Sequence, residues 1–243
     1  MTLSDFFKAH PKAALGFSGG VDSAYLYAAG RALGADLKPY FIKTPFQPAF
    51  DLEDALRLVP DLTVLELDVL ACAAVAANHP DRCYHCKQAI FGLLQTQAAK
   101  DGYAVLLDGT NASDDLSDRP GYRALQEYGV LSPLRLCGLT KAQIRQASKD
   151  LDLFTWNKPA YACLATRIPT GIPLDSQLLQ AVEQAETALL QLGYRDFRVR
   201  VFHGAARIQL KQEQFPTSAS DYLRLRHAVQ PYFETVLLDL QER

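Results

Sequence analysis

Ala13-Ala14-Leu15-Gly16-Phe17-Ser18-Gly19-Gly20-Val21-Asp22-Ser23-Ala24-Tyr25-Leu26-Tyr27-Ala28-Ala29 is the stretch that decides the fold. Its first five residues form an apolar run short enough for a buried strand, and those from Asp22 onward read as a helix with small and aromatic residues facing a sheet. Between them lies a polar bend bearing two glycines. Strand, glycine bend and helix in that order make an anion site. Gly19 and Gly20 permit backbone angles closed to other residues and let a phosphate approach the main chain. N–H groups in the first turn of a helix lack internal partners and carry partial positive charge, so they favour phosphate oxygens. Ser18 and Ser23 add hydroxyl donors. Asp22 would repel a phosphate, so its expected task is to hold a bridging Mg²⁺. The plainer alternative is a capped strand–helix junction, against which stands the coincidence of two glycines, two serines and an aspartate.

Outward from this bend, further strands are expected over residues 38–44, 63–67 and 104–108, with helices over 53–58 and 69–77 between them. Strands alternating with helices predict an α/β fold with a parallel, doubly wound sheet. Beyond about Trp156 the character changes. A helix is expected over 175–192, with Leu178, Val182, Ala185 and Leu189 on one face. Strands over 197–202 and 206–210 follow, joined by His203-Gly204, then a helix over 218–229 and a strand over 235–240. That order predicts a smaller C-terminal α+β domain. The Pro/Gly-rich stretch Ile168-Pro169-Thr170-Gly171-Ile172-Pro173 sets the expected domains at 1–167 and 168–243.

Composition sets broad limits. The chain has 243 residues, 49% hydrophobic and 21% charged, which suits a globular protein with a sizeable core. A net charge of -2 gives no global basic footprint, so no nucleic-acid partner is expected. No apolar run approaches the roughly 20 residues needed to span a bilayer, and the start lacks the order of a secretory signal. Five cysteines are an odd number in a chain too large to need staples, which favours reduced thiols, a metal centre or chemistry. A cytoplasmic protein without a membrane partner is the expectation.

The bend Ser18-Gly19-Gly20-Val21-Asp22-Ser23 resembles the signature of the PP-loop ATP pyrophosphatase superfamily, whose members split ATP between the α and β phosphates and adenylylate a substrate oxygen. A Walker-A ending in Gly-Lys-Ser/Thr is absent. Two later segments are also similar to this superfamily. In Leu107-Asp108-Gly109-Thr110-Asn111-Ala112-Ser113-Asp114, the polar residues at a strand end could reach ribose, substrate or metal, so Thr110 and Asn111 are expected cofactor contacts. In Leu131-Ser132-Pro133-Leu134 with Leu139-Thr140-Lys141, Thr140 reads as a helix cap, and the reach of Lys141 toward phosphate stays open.

Asp81-Arg82-Cys83-Tyr84-His85-Cys86-Lys87 contains a C-x-x-C, a pair that suits zinc, an iron–sulfur cluster or redox exchange. No second C-x-x-C completes a zinc site. Cys163 precedes Arg167 by four residues, so on a helical turn the guanidinium would lie beside the thiol and favour the thiolate. Cys72 and Cys137, set among Ala and Leu, read as core. Arg198 and Arg200 share one face of a strand whose other face carries Phe197, Val199 and Val201. Two guanidiniums so placed suit a bidentate grip on phosphate, against the blander reading of a solvated strand face.

Together these motifs, with Arg119-Pro120-Gly121 and Lys158-Pro159-Ala160-Tyr161-Ala162-Cys163-Leu164-Ala165-Thr166-Arg167-Ile168-Pro169, resemble the ATP-dependent sulfur transferases of nickel-pincer cofactor synthesis, the LarE family. The likeness runs from about Leu15 to Leu240. It implies a nicotinate-derived mononucleotide substrate with two ring carboxylates, one of which ATP activates as an acyl-adenylate that sulfur converts to a thiocarboxylate. Its branches differ in sulfur source. In one, the cysteine matching Cys163 gives up its own sulfur and becomes dehydroalanine; in the other, three cysteines matching Cys83, Cys86 and Cys163 hold a [4Fe-4S] cluster carrying an extra sulfide. Because this chain has all three, the cluster branch is the expectation. The resemblance further implies Asp22 and Cys163 as catalytic residues, Arg167, Arg198 and Arg200 as substrate contacts, Glu186 as a metal-binding acid, a role in lactate racemase maturation, and a homo-oligomer. The short Thr44-Pro45-Phe46-Gln47-Pro48 departs from the family pattern. A tRNA thiolase or an amide-forming ligase of the same superfamily, and a non-catalytic adenine-nucleotide sensor, are the competing readings. The balanced charge disfavours the thiolase, and the magnesium-bridging Asp22 disfavours the sensor.

Overall fold

The computed structural model describes residues 1–115 and 120–243, so Arg119 of the Arg-Pro-Gly motif lies outside the described residues. The chain divides into two compact units: Met1–Thr44, Ala49–Val69 and Pro80–Lys158 form the first, and Pro45–Pro48, Leu70–His79 and Pro159–Arg243 the second. In chain order the first unit begins with α1 (Leu3–Ala9), β1 (Lys12–Gly16), α2 (Val21–Ala32), β2 (Asp36–Lys43), α3 (Ala49–Leu58) and β3 (Thr63–Glu66). The short α4 (Ala73–Ala76) belongs to the second unit. The first unit resumes with α5 (Arg82–Lys100), β4 (Leu106–Leu107), α6 (Pro120–Glu127), α7 (Pro133–Leu136) and α8 (Lys141–Asp150).

Among the described residues the first unit holds a four-stranded parallel sheet in the order β3-β2-β1-β4. Its side chains alternate between two cores, as strand geometry demands. Ala13, Leu15, Leu37, Phe41 and Leu107 join Phe6, Phe7, Leu26, Ala55, Leu134 and Ile144 from α1, α2, α3, α7 and α8. Ala14, Tyr40, Ile42 and Leu106 face the other way, onto Phe91, Leu94 and Ala98 of α5 and Leu125 of α6. Helices thus cover both faces, which makes this an α/β, Rossmann-like layering.

The strand expected over 104–108 contracts to Leu106–Leu107, because Tyr103 N–H still bonds Ala98 O at the end of α5, and Ala104 is exposed. The helix expected over 69–77 breaks into a 3₁₀ turn, Val69–Ala71, and α4, with Cys72 extended between them. The alanines favour helix, but the chain passes from one unit to the other at this point, and tertiary placement overrides propensity.

The second unit adds α9 (Ser176–Gln191), β5 (Arg198–Phe202), β6 (Ala205–Gln209), α10 (Ala219–Val229) and β7 (Val236–Leu238). Its sheet has the order β5-β6-β7, antiparallel at the hairpin and parallel across the α10 crossover. His203 and Gly204 both take positive φ, 49° and 80°, as a two-residue hairpin turn requires. On α9 the buried stripe is Leu179, Val182, Ala185, Glu186 and Leu189. Leu178, in the first turn where its N–H bonds the Asp175 cap, is half-buried.

The Pro/Gly-rich stretch after Arg167 is stapled within this unit by Asn78, which is fully buried with φ 55°. Its Nδ2 donates to Pro169 O and Ile172 O, both at 2.9 Å, and its own carbonyl accepts Gly171 N–H. Asn78→Ala removes two hydrogen bonds worth about 1 kcal/mol each and places Ala in a left-handed backbone that Asn tolerates better. A loss of about 2 kcal/mol in denaturant unfolding is expected.

Candidate functional site

In the sheet order β3-β2-β1-β4 the chain moves outward from β1 through β2 to β3 and returns to place β4 on the opposite side of β1. The carboxyl ends of β1 and β4 therefore flank a topological switch point, where open α/β sheets form their ligand crevice. The loops leaving these strands carry Ser18–Ser23 and Asp108–Asn111. Gly19 has φ +69°, and a Cβ there would lie 2.8 Å from Asp51 O and 3.1 Å from Ala55 Cβ of α3, so only glycine fits. Gly20 caps α2 in an extended conformation with no side-chain bond to the first-turn N–H groups. Ser18 and Ser23 hydroxyls lie 3.1 Å apart, and Ser23 Oγ donates to Gly20 O, bracing the bend from inside. A Cβ on Gly109 would sit 3.1 Å from Ser23 N, which shows how closely the β4 loop packs on the start of α2.

Asp22 is the focus of this crevice. Its Oδ2 accepts from Lys141 Nζ at 2.6 Å, and its Oδ1 is buried with no hydrogen-bond partner among the described residues. An orphaned carboxylate oxygen is a costly feature for a protein to keep, and it suits an oxygen-loving divalent cation. Lys141 opens α8 behind the Thr140–Gln143 capping box, and its N–H donates to Ser113 Oγ at 3.0 Å. Thr140 is thus the cap, while Lys141, whose reach spacing left open, extends to the loop.

Thr110 and Asn111 have inward roles. Thr110 Oγ1 donates to Asp108 Oδ2 at 2.5 Å, and Ser132 Oγ reaches Asp108 Oδ1 at 2.6 Å. Asn111 is buried, with Oδ1 accepting Ser113 N–H at 2.8 Å. Lys158, which opens the Lys-Pro-Ala motif but carried no expected contact, is bound to Asp51 at 2.9 Å and Asp54 at 2.7 Å on the helix that packs on Gly19. Burial raises the Asp51 carboxyl above its ordinary value, and Lys158 opposes that rise.

Cys83 and Cys86 lie near the start of α5, three residues apart and so neighbours on one face. Cys83 is exposed and accepts from Arg82 Nη2 at 3.7 Å; Cys86 is half-buried. His85 bonds Asp81. Cys137 packs against the core, Cys72 precedes α4, and both are half-buried; none of the five cysteines is in a disulfide. Among the described residues no group of three or more His, Cys, Asp and Glu side chains is gathered as a metal site.

The second unit holds Cys163, half-buried at the head of a 3₁₀ turn, Leu164–Arg167. Leu164 N–H bonds Phe46 O at 2.8 Å, so the short segment after β2 is part of this unit's packing. The guanidinium expected beside the thiol is turned to Glu186: Arg167 Nε lies 2.8 Å from Oε1 and Nη2 3.1 Å from Oε2, both side chains 1% exposed. Spacing alone would leave Glu186 exposed on α9; instead it is buried. Burial opposes the charge of Arg167, but Glu186 more than offsets this and holds the guanidinium more firmly protonated. Arg198 is also buried rather than on an open face, donating to Phe197 O and Ala160 O. Burial and the neighbouring Arg167 push its pKa down to about 10. Arg200 bonds Gln209 and Thr166 O through Nε and Nη1. Arg167, Arg198 and Arg200 all act on Glu186, with Asp239 a second acidic neighbour of Arg200, which leaves the arginines in excess, a setting for an anion.

Fold and loop together define an α/β protein with an anion-receptive glycine bend at a sheet switch point. No protein-family model matches the chain. It is 36% identical to an uncharacterized protein of Synechocystis, over 98% of this chain and 92% of that protein. It is 31% identical to an uncharacterized protein of Methanocaldococcus jannaschii, over 87% and 82%. With the pyridinium-3,5-bisthiocarboxylic acid mononucleotide synthase of Lactiplantibacillus plantarum it shares 32% identity, over 87% of this chain and 79% of that enzyme. The chain belongs to the family of that synthase. No helix among the described residues is long and apolar enough to cross a membrane.

Proposed function

We propose that this protein is an ATP-dependent sulfur transferase of the PP-loop type that converts a carboxylate of a pyridinium-3,5-dicarboxylate mononucleotide into a thiocarboxylate, in nickel-pincer cofactor synthesis. The observation that carries the reading is Asp22, with Lys141 on one carboxylate oxygen and the other orphaned, at the first turn of α2. A Mg²⁺ on that oxygen would offset phosphate charge. The bend of Ser18, Gly19 and Gly20 and the first-turn N–H groups would hold the β and γ phosphates, and Lys141 would neutralise charge on the departing pyrophosphate.

The substrate carboxylate attacks the α phosphorus, forming a P–O bond as the bond to pyrophosphate breaks. A sulfur nucleophile then attacks the acyl carbon and AMP departs. Arg198 and Arg200, already in excess over the carboxylate beside them, would take the substrate's phosphate. Cys83 and Cys86, neighbours on one helix face, would supply two ligands of a [4Fe-4S] cluster, and the family resemblance makes Cys163 the expected third. When bound, the cluster would supply a sulfide for transfer.

The test is pyrophosphate exchange into ATP by anaerobically purified protein. Exchange is expected only when the dicarboxylate mononucleotide is present, along with iron and acid-labile sulfide in the protein. Exchange supported by tRNA or by an amine acceptor instead, or ATP bound but never split, overturns the assignment.

A further inference from the structure

Cys163 lies on a segment with little means of holding its own shape. Leu164–Arg167 is a single 3₁₀ turn, an element too short to be stable alone. Arginine donors, two from β5 and one from the turn itself, hold the main chain on both sides of the thiol. Arg198 Nη2 donates to Ala160 O at 2.6 Å, Arg167 Nη1 to Ala162 O at 3.0 Å, and Arg200 Nη1 to Thr166 O at 2.8 Å. One carboxylate ties Tyr161 at the start of the segment to Arg167 at its end. Glu186 Oε2 accepts the Tyr161 hydroxyl and Arg167 Nη2; Oε1 accepts Arg167 Nε and the N–H of Val199 on β5. Four donors fill a carboxylate's four acceptor sites. Tyr161 also lies between two cations, its ring 4.6 Å from Arg167 and 5.1 Å from Arg198.

We infer that Glu186 and Tyr161 are positioning residues that clamp the Cys163 segment at its start and end, so that the thiol is presented in one geometry. Sulfur transfer to an acyl-adenylate is sensitive to such placement, since a misplacement of about 1 Å can cost about 10²-fold in rate. The inference rests on the sulfur-transfer reading only for its effect on rate; the clamp itself is a property of the second unit. It also gives Glu186 a task other than metal binding, since its acceptor sites are filled by protein donors.

The test compares wild type with Tyr161→Phe, which deletes one hydroxyl and keeps the ring between the arginines, and with Glu186→Gln. Iodoacetamide alkylation of Cys163 and of the reference thiol Cys137 is followed by peptide mass spectrometry at matched iron content, beside pyrophosphate exchange and thiocarboxylate formation. Tyr161→Phe is expected to alkylate several-fold faster at Cys163, with Cys137 unchanged, and to form product about tenfold more slowly at an unchanged exchange rate. Glu186→Gln is expected to shift Cys163 alkylation further in the same direction. Cys163 alkylation within about twofold of wild type in both variants, or an equal fall in exchange and product formation for Tyr161→Phe, overturns the clamp. Absence of exchange in the wild type sinks the proposed function instead, while the alkylation comparison still decides the clamp.

Discussion

Cys163→Ala is expected to stop thiocarboxylate formation, by at least about 10³-fold, while pyrophosphate exchange continues. On the proposed function the two half-reactions separate, because activation would use the glycine bend of the first unit and sulfur delivery the thiol of the second. In the cluster reading Cys163 is a ligand, and its loss is read as iron and acid-labile sulfide falling below the wild-type content. In the sacrificial reading Cys163 is itself the sulfur donor, and wild-type protein loses the mass of H₂S after one turnover. Intact-mass measurement with iron analysis separates the two. A Cys163→Ala variant that forms product at the wild-type rate rules out both.

Asp22→Asn is expected to lower pyrophosphate exchange by about 10²–10³-fold, the scale on which one preorganised electrostatic partner acts. The substitution keeps the shape of the side chain and removes its charge. It leaves Lys141 without the carboxylate that holds it at 2.6 Å and strips the orphaned oxygen of its pull on a cation. Circular dichroism is expected to match the wild type, because both side chains are partly exposed and neither belongs to the buried core. Exchange within a few-fold of wild type for a correctly folded variant would remove the observation on which the proposed activity stands.

The elements were legible where a local rule sufficed. Alternation along β1 and β2 assigns Ala13 and Leu15 to one core and Ala14 to the other. The left-handed Gly19 and the His203-Gly204 hairpin follow from conformational freedom, and Thr140 from its Gln three residues on. Periodicity placed Val182, Ala185 and Leu189 of α9 in the buried stripe, and missed only that Leu179 and Glu186 join it while Leu178, in the first turn, stays half-buried. At the site, the sequence named Asp22, Cys163, Glu186 and the arginines but misjudged or left open their partners. Lys141 meets Asp22 across 119 positions, and Lys158 meets Asp51 across 107. Asn78 and Phe46 carried no local signal at all, yet each pins a segment flanking or containing the Cys163 turn.

By itself, the sequence determined which backbone angles and hydrogen-bond donors stand at the tip of β1, because glycine, serine and a helix start have those properties wherever the chain places them. Only the tertiary structure decided which charges meet. Burial of Arg167 and Glu186 is tolerable because each supplies the other's missing solvation, and that pairing exists only once α9 and the Cys163 segment have packed in one unit.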